Sequence, residues 1–127
     1  MRHTLLLILA ITSGIAFSTT LESGIVIDGP SPFLRGDCNA DGRISFADGV
    51  AMMAYSFEDG VEPPCLAACN FDGTGALDLT ASLYFFNALF QSGPPLPAPN
   101  TSCARSDDRW DVALGCRHFE CSHPYRD

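Results

Sequence analysis

A small all-α, disulfide-crosslinked domain is predicted, built from two loop–helix repeats and followed by an irregular cysteine-containing tail. Three features of the chain predict it. A self-similarity with an offset of 33 residues (75 minus 42) runs through its centre. Behind a polar, glycine-containing loop, each repeat places apolar residues at helical spacing. All six cysteines lie beyond residue 37, and in so short a chain crosslinks supplement a limited core.

The chain opens with the basic Met1-Arg2-His3, followed by an apolar, uncharged run from Thr4 to Phe17 and by small residues at Ala16 and Ser18. This is the three-part layout of a secretory signal peptide, so residues 1–18 are expected to be removed and the protein to be secreted or held at the cell surface. An uncleaved N-terminal anchor is the alternative. The apolar run falls short of the roughly 20 residues a comfortable membrane span needs, and no later segment of the sequence is apolar enough. Without residues 1–18 the formal charge moves from −8 to −9, because only Arg2 is lost. The remaining chain has six Arg and no Lys. Such acidity repels nucleic acid and anionic lipid and suits divalent cations. In an exported chain the six cysteines read as three disulfides; six allow about 15 pairings, and nothing in the sequence selects one.

Residues 19–33 form a lead-in whose apolar run Ile25-Val26-Ile27 is compatible with an edge strand or a plain connector. The repeats follow, over residues 34–66 and 67–99. The 33-residue offset pairs Asp37 with Asn70, Asn39 with Asp72, Gly42 with Gly75 and Ile44 with Leu77. It also pairs Val50 with Leu83, Met53 with Phe86, Phe57 with Phe90, Gly60 with Gly93 and Pro64 with Pro97. A period of this length marks one supersecondary unit used twice. Phe46, Val50, Met53 and Phe57 make one apolar stripe, and Leu79, Leu83, Phe86 and Phe90 make the other, each on a helix of about three turns. Core packing is the default expectation for the second helix. Leu83-Tyr84-Phe85-Phe86 is apolar almost all round, so part of the second helix is alternatively a contact surface. Gly60 and Gly93, with Pro63 and Pro94 behind them, stop the helices. Two roughly antiparallel helices related by a pseudo-twofold axis are predicted.

Asp37 to Asp48 satisfies each position of a twelve-residue calcium loop. Asp37, Asn39 and Asp41 offer oxygens at positions 1, 3 and 5, and Gly42 permits the turn at position 6. The Arg43 carbonyl supplies position 7, Ser45 position 9 and Asp48 position 12. Calcium takes about six to eight hard oxygen ligands; alternate residues of a tight loop point inward together, and the distant carboxylate locks the loop to its helix. The simpler reading is an Asx/Gly turn ahead of a helix. In the second loop, Asn70, Asp72, Thr74, the Ala76 carbonyl and Asp78 occupy positions 1, 3, 5, 7 and 9, and Ala81 stands at position 12. With two carboxylates and no closing acid, this loop is predicted to bind calcium weakly or to stay empty.

These residues resemble the dockerin family, in which two F-hand repeats each consist of a calcium loop and one following helix. The resemblance covers about residues 34–99. Gly36-Asp37-Cys38-Asn39, the Phe-x-x-Gly and proline helix ends, and Leu114-Gly115-Cys116 are similar to cysteine-bearing dockerin-like modules of secreted bacterial proteins. The resemblance implies a cohesin-type protein partner, often within a polysaccharide-degrading or cell-surface assembly. The chain departs from the family at loop positions 10 and 11: Phe46-Ala47 and Leu79-Thr80 stand where cellulosomal members carry polar recognition residues. Members of the family usually ride on a catalytic domain, and none is expected among these 127 residues.

Gly93 to Pro99 is proline-rich and reads as an extended linker to a tail of residues 100–127. Asn100-Thr101-Ser102 is a glycosylation sequon, meaningful only in a eukaryotic secretory path. Cys116, His118, Cys121 and His123 have the count of a zinc site, but their spacing is unusual and disulfides are the stronger reading. Arg35-Gly36-Asp37 spells an integrin tripeptide, yet Asp37 is engaged as the first calcium ligand. There is no Gly-x-Ser-x-Gly elbow, and the clustered acids belong to the metal loop, so the chain is not expected to be an enzyme. The alternative to an attachment module is a structural extracellular domain in which calcium serves stability alone.

Overall fold

The structure is a computed structural model that describes residues 30–121; the predicted signal peptide, most of the lead-in and His123 lie outside the described residues. Among the described residues there are four helices and no strand: α1 Phe46–Phe57, α2 Leu66–Cys69, α3 Leu79–Phe90 and α4 Arg109–Leu114. Phe33 and Ala104 form one isolated antiparallel bridge.

Both long helices begin where the sequence supplies a cap. Ser45 is the N-cap of α1, and the Asp48 carboxylate reaches back to the Ser45 N–H at 2.7 Å, completing a capping box. Asp78 caps α3 by accepting from the Ala81 N–H at 3.0 Å. Their ends also match. The Ala54 carbonyl accepts from the N–H groups of Glu58 and Gly60, and the Asn87 carbonyl accepts from those of Gln91 and Gly93. A Cβ on Gly60 would lie 2.7 Å from the Ala54 carbonyl carbon, so only glycine allows this approach.

The apolar stripes do not supply the buried faces of the helices. The buried residues of α1 are Asp48, Gly49 and Met52, and those of α3 are Ala81, Ser82 and Phe85. Phe46, Val50, Phe57, Leu79, Leu83 and Phe90 are exposed. The reason is packing on the other side. Met52, Ala81 and Phe85 join Cys38, Cys69, Phe71 and Leu96 in the main core cluster, and Phe85 stacks on Phe71 with ring centroids 4.0 Å apart. Gly49 lets α3 come close, since a Cβ there would meet the Phe86 ring at 2.4 Å. The predicted stripes meet instead at the surface: Phe46 lies 5.2 Å from Phe86 and 6.5 Å from Phe90, centroid to centroid.

Three disulfides, Cys38–Cys69, Cys65–Cys116 and Cys103–Cys121, use every cysteine. That removes Cys116 and Cys121 as zinc ligands. Cys38–Cys69 ties the second residue of the first loop to the residue before the second loop across 31 positions. Closing a loop of that size restricts the unfolded chain by roughly 4 kcal/mol on the chain-entropy account.

The region read as a linker and tail is part of the packing. Leu96 is in the core, Asp111 is fully buried, and α4 ends against α2, where Ala67 donates to the Gly115 carbonyl at 3.0 Å. Asp108 caps α4 through the Trp110 N–H at 2.9 Å. A second small cluster of Phe33, Cys65, Ala67 and Ala68 packs with Cys116 and Phe119.

The observed faces set different costs for two phenylalanines. Phe85→Ala is expected to lower unfolding free energy by about 3–5 kcal/mol and Phe57→Ala by less than about 1 kcal/mol. Urea denaturation of the oxidised protein measures both; comparable losses would show that the predicted stripe is the buried one after all.

Candidate metal centre

The loop ahead of α1 is shaped by its own side chains. Asp37 takes two backbone donors: Oδ1 accepts from Asp41 at 3.1 Å and Oδ2 from Gly42 at 3.0 Å. Gly42 has φ +86°, a conformation that favours glycine. Asp41 Oδ1 accepts from the Arg43 N–H at 2.9 Å, and Asn39 Oδ1 from the Asp41 N–H at 3.1 Å. Asp48 reaches back from the first turn of α1, where Oδ1 accepts from the Asn39 N–H at 3.2 Å and Oδ2 from Ser45. These contacts wrap residues 37–45 around a point where Asp37, Asp41 and Asp48 each offer a carboxylate oxygen within 4.8 Å of the others.

Of the six residues assigned to this loop, the structure therefore brings the three acids together, with Asn39 hydrogen-bonded among them. Ser45 uses its hydroxyl to cap α1, accepting from Ala47 at 3.3 Å, and Arg43 contributes its amide to Asp41. The position of Asp37, only 1 % exposed, also removes the Arg35-Gly36-Asp37 tripeptide from receptor access.

The electrostatics are unfavourable for this loop as a purely organic structure. Asp37 and Asp48 are both buried, and among the described residues no Lys, Arg or His nitrogen lies within 4.0 Å of either carboxylate. Burial, opposed by the hydrogen bond from Gly42 and reinforced by Asp41, pushes the Asp37 carboxyl up to about 6. Burial, with the charges of Asp37 and Asp41 adding to it against hydrogen bonds from Ser45 and Asn39, pushes Asp48 up to about 7. A carboxylate has about four acceptor positions, so the backbone donors leave lone pairs free on all three acids. Three carboxylates around one point, two of them desolvated, suit a hard divalent cation that prefers oxygen.

The second loop repeats the backbone shape with different chemistry. Asn70 Oδ1 accepts from the Gly75 N–H at 2.9 Å, the same bond that Asp37 makes with Gly42. Asn70 is fully buried and turns its amide nitrogen to Asp111 Oδ1 at 2.8 Å. Asp72 accepts from the Thr74 amide and hydroxyl, Thr74 in turn accepts from the Ala76 N–H, and Asp78 caps α3. Asp72 and Asp78 do not join a cluster of three acids; among the described residues only the first loop has one. Asp111 and Arg35 escaped the sequence reading. Their one trace was the neutral Asn70 where the first repeat has Asp37.

The charges set the pH response of the metal-free protein. Because Asp37 and Asp48 hold protons in the folded state that the unfolded chain releases above about 3.8, stability falls as pH rises from about 4 through about 7. Asp111 acts in the opposite sense. Burial alone would raise it, but hydrogen bonds from Arg35, Ser106 and Asn70 and the Arg35 charge hold it below 3.8, so stability also falls under about pH 4. Metal-stripped protein is therefore expected to melt highest near pH 4, and a melting temperature that climbs steadily from pH 4 to 7.5 would contradict this electrostatic picture.

None of the protein-family models, curated proteins or solved structures compared with the chain matches it, so the chemistry of the site rests on its own residues.

Proposed function

We propose that this chain is a secreted calcium-binding module of dockerin type, which attaches to a cohesin-like protein partner in a cell-surface or polysaccharide-degrading assembly. The observation that carries the reading is the meeting of Asp37, Asp41 and Asp48 at the start of α1, two of them buried and without a cationic partner among the described residues. Asp37, Asn39, Asp41, the Arg43 carbonyl, Ser45 and Asp48 form the calcium sphere, and the ion neutralises the loop and fixes the start of its helix. At a free calcium concentration of about 100 times Kd, it would stabilise the fold by about 2.7 kcal/mol.

Matching caps, matching helix ends and matching position-1 hydrogen bonds, each 33 residues apart, support two repeats related by a pseudo-twofold axis. The attachment surface is the exposed apolar layer of α1 and α3. Apart from buried Asp48, these two helices carry no charged residue, on a chain of net charge −8. Exposed apolar area of this kind marks a protein contact. Three disulfides and the N-terminal layout support an extracellular setting. The alternative, a structural domain that uses calcium only for stability, draws on Asp48, whose carboxylate also completes the cap of α1.

Calorimetric titration of the oxidised protein with calcium is expected to give one dominant site. Asp41→Ala, at an exposed position, and Asp48→Ala are each expected to weaken it by about 100-fold or more, with the helical circular dichroism of Asp41→Ala retained. Two equal sites, or unchanged affinity in both variants, would refute the assignment. A pull-down with and without chelator separates the two functional readings: a partner retained only in calcium supports attachment, and the lack of any calcium-dependent partner leaves the structural domain.

A further inference from the structure

Arg35 is 2 % exposed, and each of its three side-chain nitrogens donates a hydrogen bond. Nη1 and Nη2 grip Asp111 at 3.1 and 2.6 Å. Nη1 also reaches the Asn70 carbonyl at 2.6 Å, Nη2 the Ala98 carbonyl at 2.9 Å, and Nε the Pro97 carbonyl at 3.0 Å. Asp111 accepts from Arg35, from the Asn70 amide and from the Ser106 hydroxyl. Both charges and each polar atom named in this knot have a partner, the condition under which a buried ion pair holds a structure in one arrangement.

The knot sits at position 1 of the second loop. In the first loop that position is a buried carboxylate with no cationic side chain beside it among the described residues; in the second it is a neutral amide, whose far end meets a carboxylate already matched by a guanidinium. The local bond that shapes the loop, from the position-6 glycine to the position-1 side chain, is the same in both. Trp110, next to Asp111 in α4, covers the turn: a Cβ on Gly75 would meet its ring at 2.9 Å.

We propose that Arg35 and Asp111 stand in for a metal ion at the second loop, so that this loop is ordered by the tail and excludes calcium at all concentrations. Asn70 is then a specificity-determining residue. Its amide bridges the loop to Asp111, where an aspartate would place two carboxylates against each other. The comparison between the loops rests on the calcium reading of the first, but the order of the second does not depend on it.

Hydrogen exchange of the full, oxidised chain tests this amide by amide. In chelator, the Gly75 amide is expected to be protected and the Gly42 amide to exchange fast; calcium should slow Gly42 and leave Gly75 unchanged. Asp111→Asn should speed Gly75 exchange at least ~10-fold with or without calcium. Ser106→Ala, which removes a single donor, should speed it by a smaller factor and keeps the test alive if Asp111→Asn does not fold. Calcium-induced protection of Gly75, a calorimetric stoichiometry of two, or Gly75 exchange unaltered in Ser106→Ala and any folded Asp111→Asn would overturn the proposal. If calcium bound nowhere while Gly75 stayed protected in chelator, the reading of the first loop would fail and this one would stand.

Discussion

Among the described residues four charged side chains, Arg35, Asp37, Asp48 and Asp111, are withdrawn almost completely from water, and the fold is organised by how each charge is met. Removing an ion from water costs several kcal/mol even after the protein relaxes, a large part of the 5–15 kcal/mol typical of a whole domain's stability (about that range). Arg35 and Asp111 answer each other with two hydrogen bonds and share their remaining capacity with backbone carbonyls, Asn70 and Ser106. Asp37 and Asp48 receive backbone N–H groups alone, which orient the carboxylates without cancelling their charge. One half of the domain therefore contains its own counter-charge, and the other leaves a place for one.

The covalent framework follows the same division. Cys38–Cys69 joins the two loops at their starts, beside Asp37 and Asn70, so the regions that carry the buried charges cannot separate without carrying each other along. Cys65–Cys116 holds the end of α4 to α2, and the Gly115 carbonyl accepts from Ala67 next to that bridge. This fixes the helix that presents Asp111 and Trp110. The proline-rich stretch contributes carbonyl groups from Pro97 and Ala98 that no helix or strand uses, and Arg35 takes them. A segment without regular structure thus becomes an acceptor surface for a buried cation, which is why its packing is hidden from composition alone.

The sequence was most readable where a local rule acts alone. Spacing within residues 37–48 placed Asp37, Asp41 and Asp48 around one point because a tight loop leaves its alternate side chains few directions. The helix stops at Gly60 and Gly93 followed for the same reason, since stops involve only neighbours, whereas Ser45 and Asp78 were read as loop ligands and turn out also to cap the helices. Helix orientation was not readable. The inward faces contain Asp48, Gly49 and Ser82, residues that hydrophobic periodicity assigns to solvent, while the stripe rich in Phe and Leu faces out. Periodicity identifies an apolar face but not what covers it, and an unseen partner and a core leave the same pattern in a chain. Arg35–Asp111 was equally hidden, because 76 residues separate the pair and neither belongs to a local motif.

The two loops show how little sequence is needed to change the means of ordering a loop. A carboxylate and a carboxamide have nearly the same shape, and both accept the N–H of the position-6 glycine. They differ in what the second atom does. The second oxygen of Asp37 adds to the negative charge of Asp41 and Asp48, which protons on Asp37 and Asp48 relieve in the metal-free protein. The nitrogen of Asn70 donates, so it can only meet an acceptor, and Asp111 supplies one that Arg35 has already neutralised. Once position 1 becomes a donor, a cation approaching it meets the amide hydrogens and, with Ala81 at position 12, no closing acid. Loop shape and charge balance are thus separable properties: the first follows from one hydrogen bond common to both loops, and the second from what surrounds a single side chain.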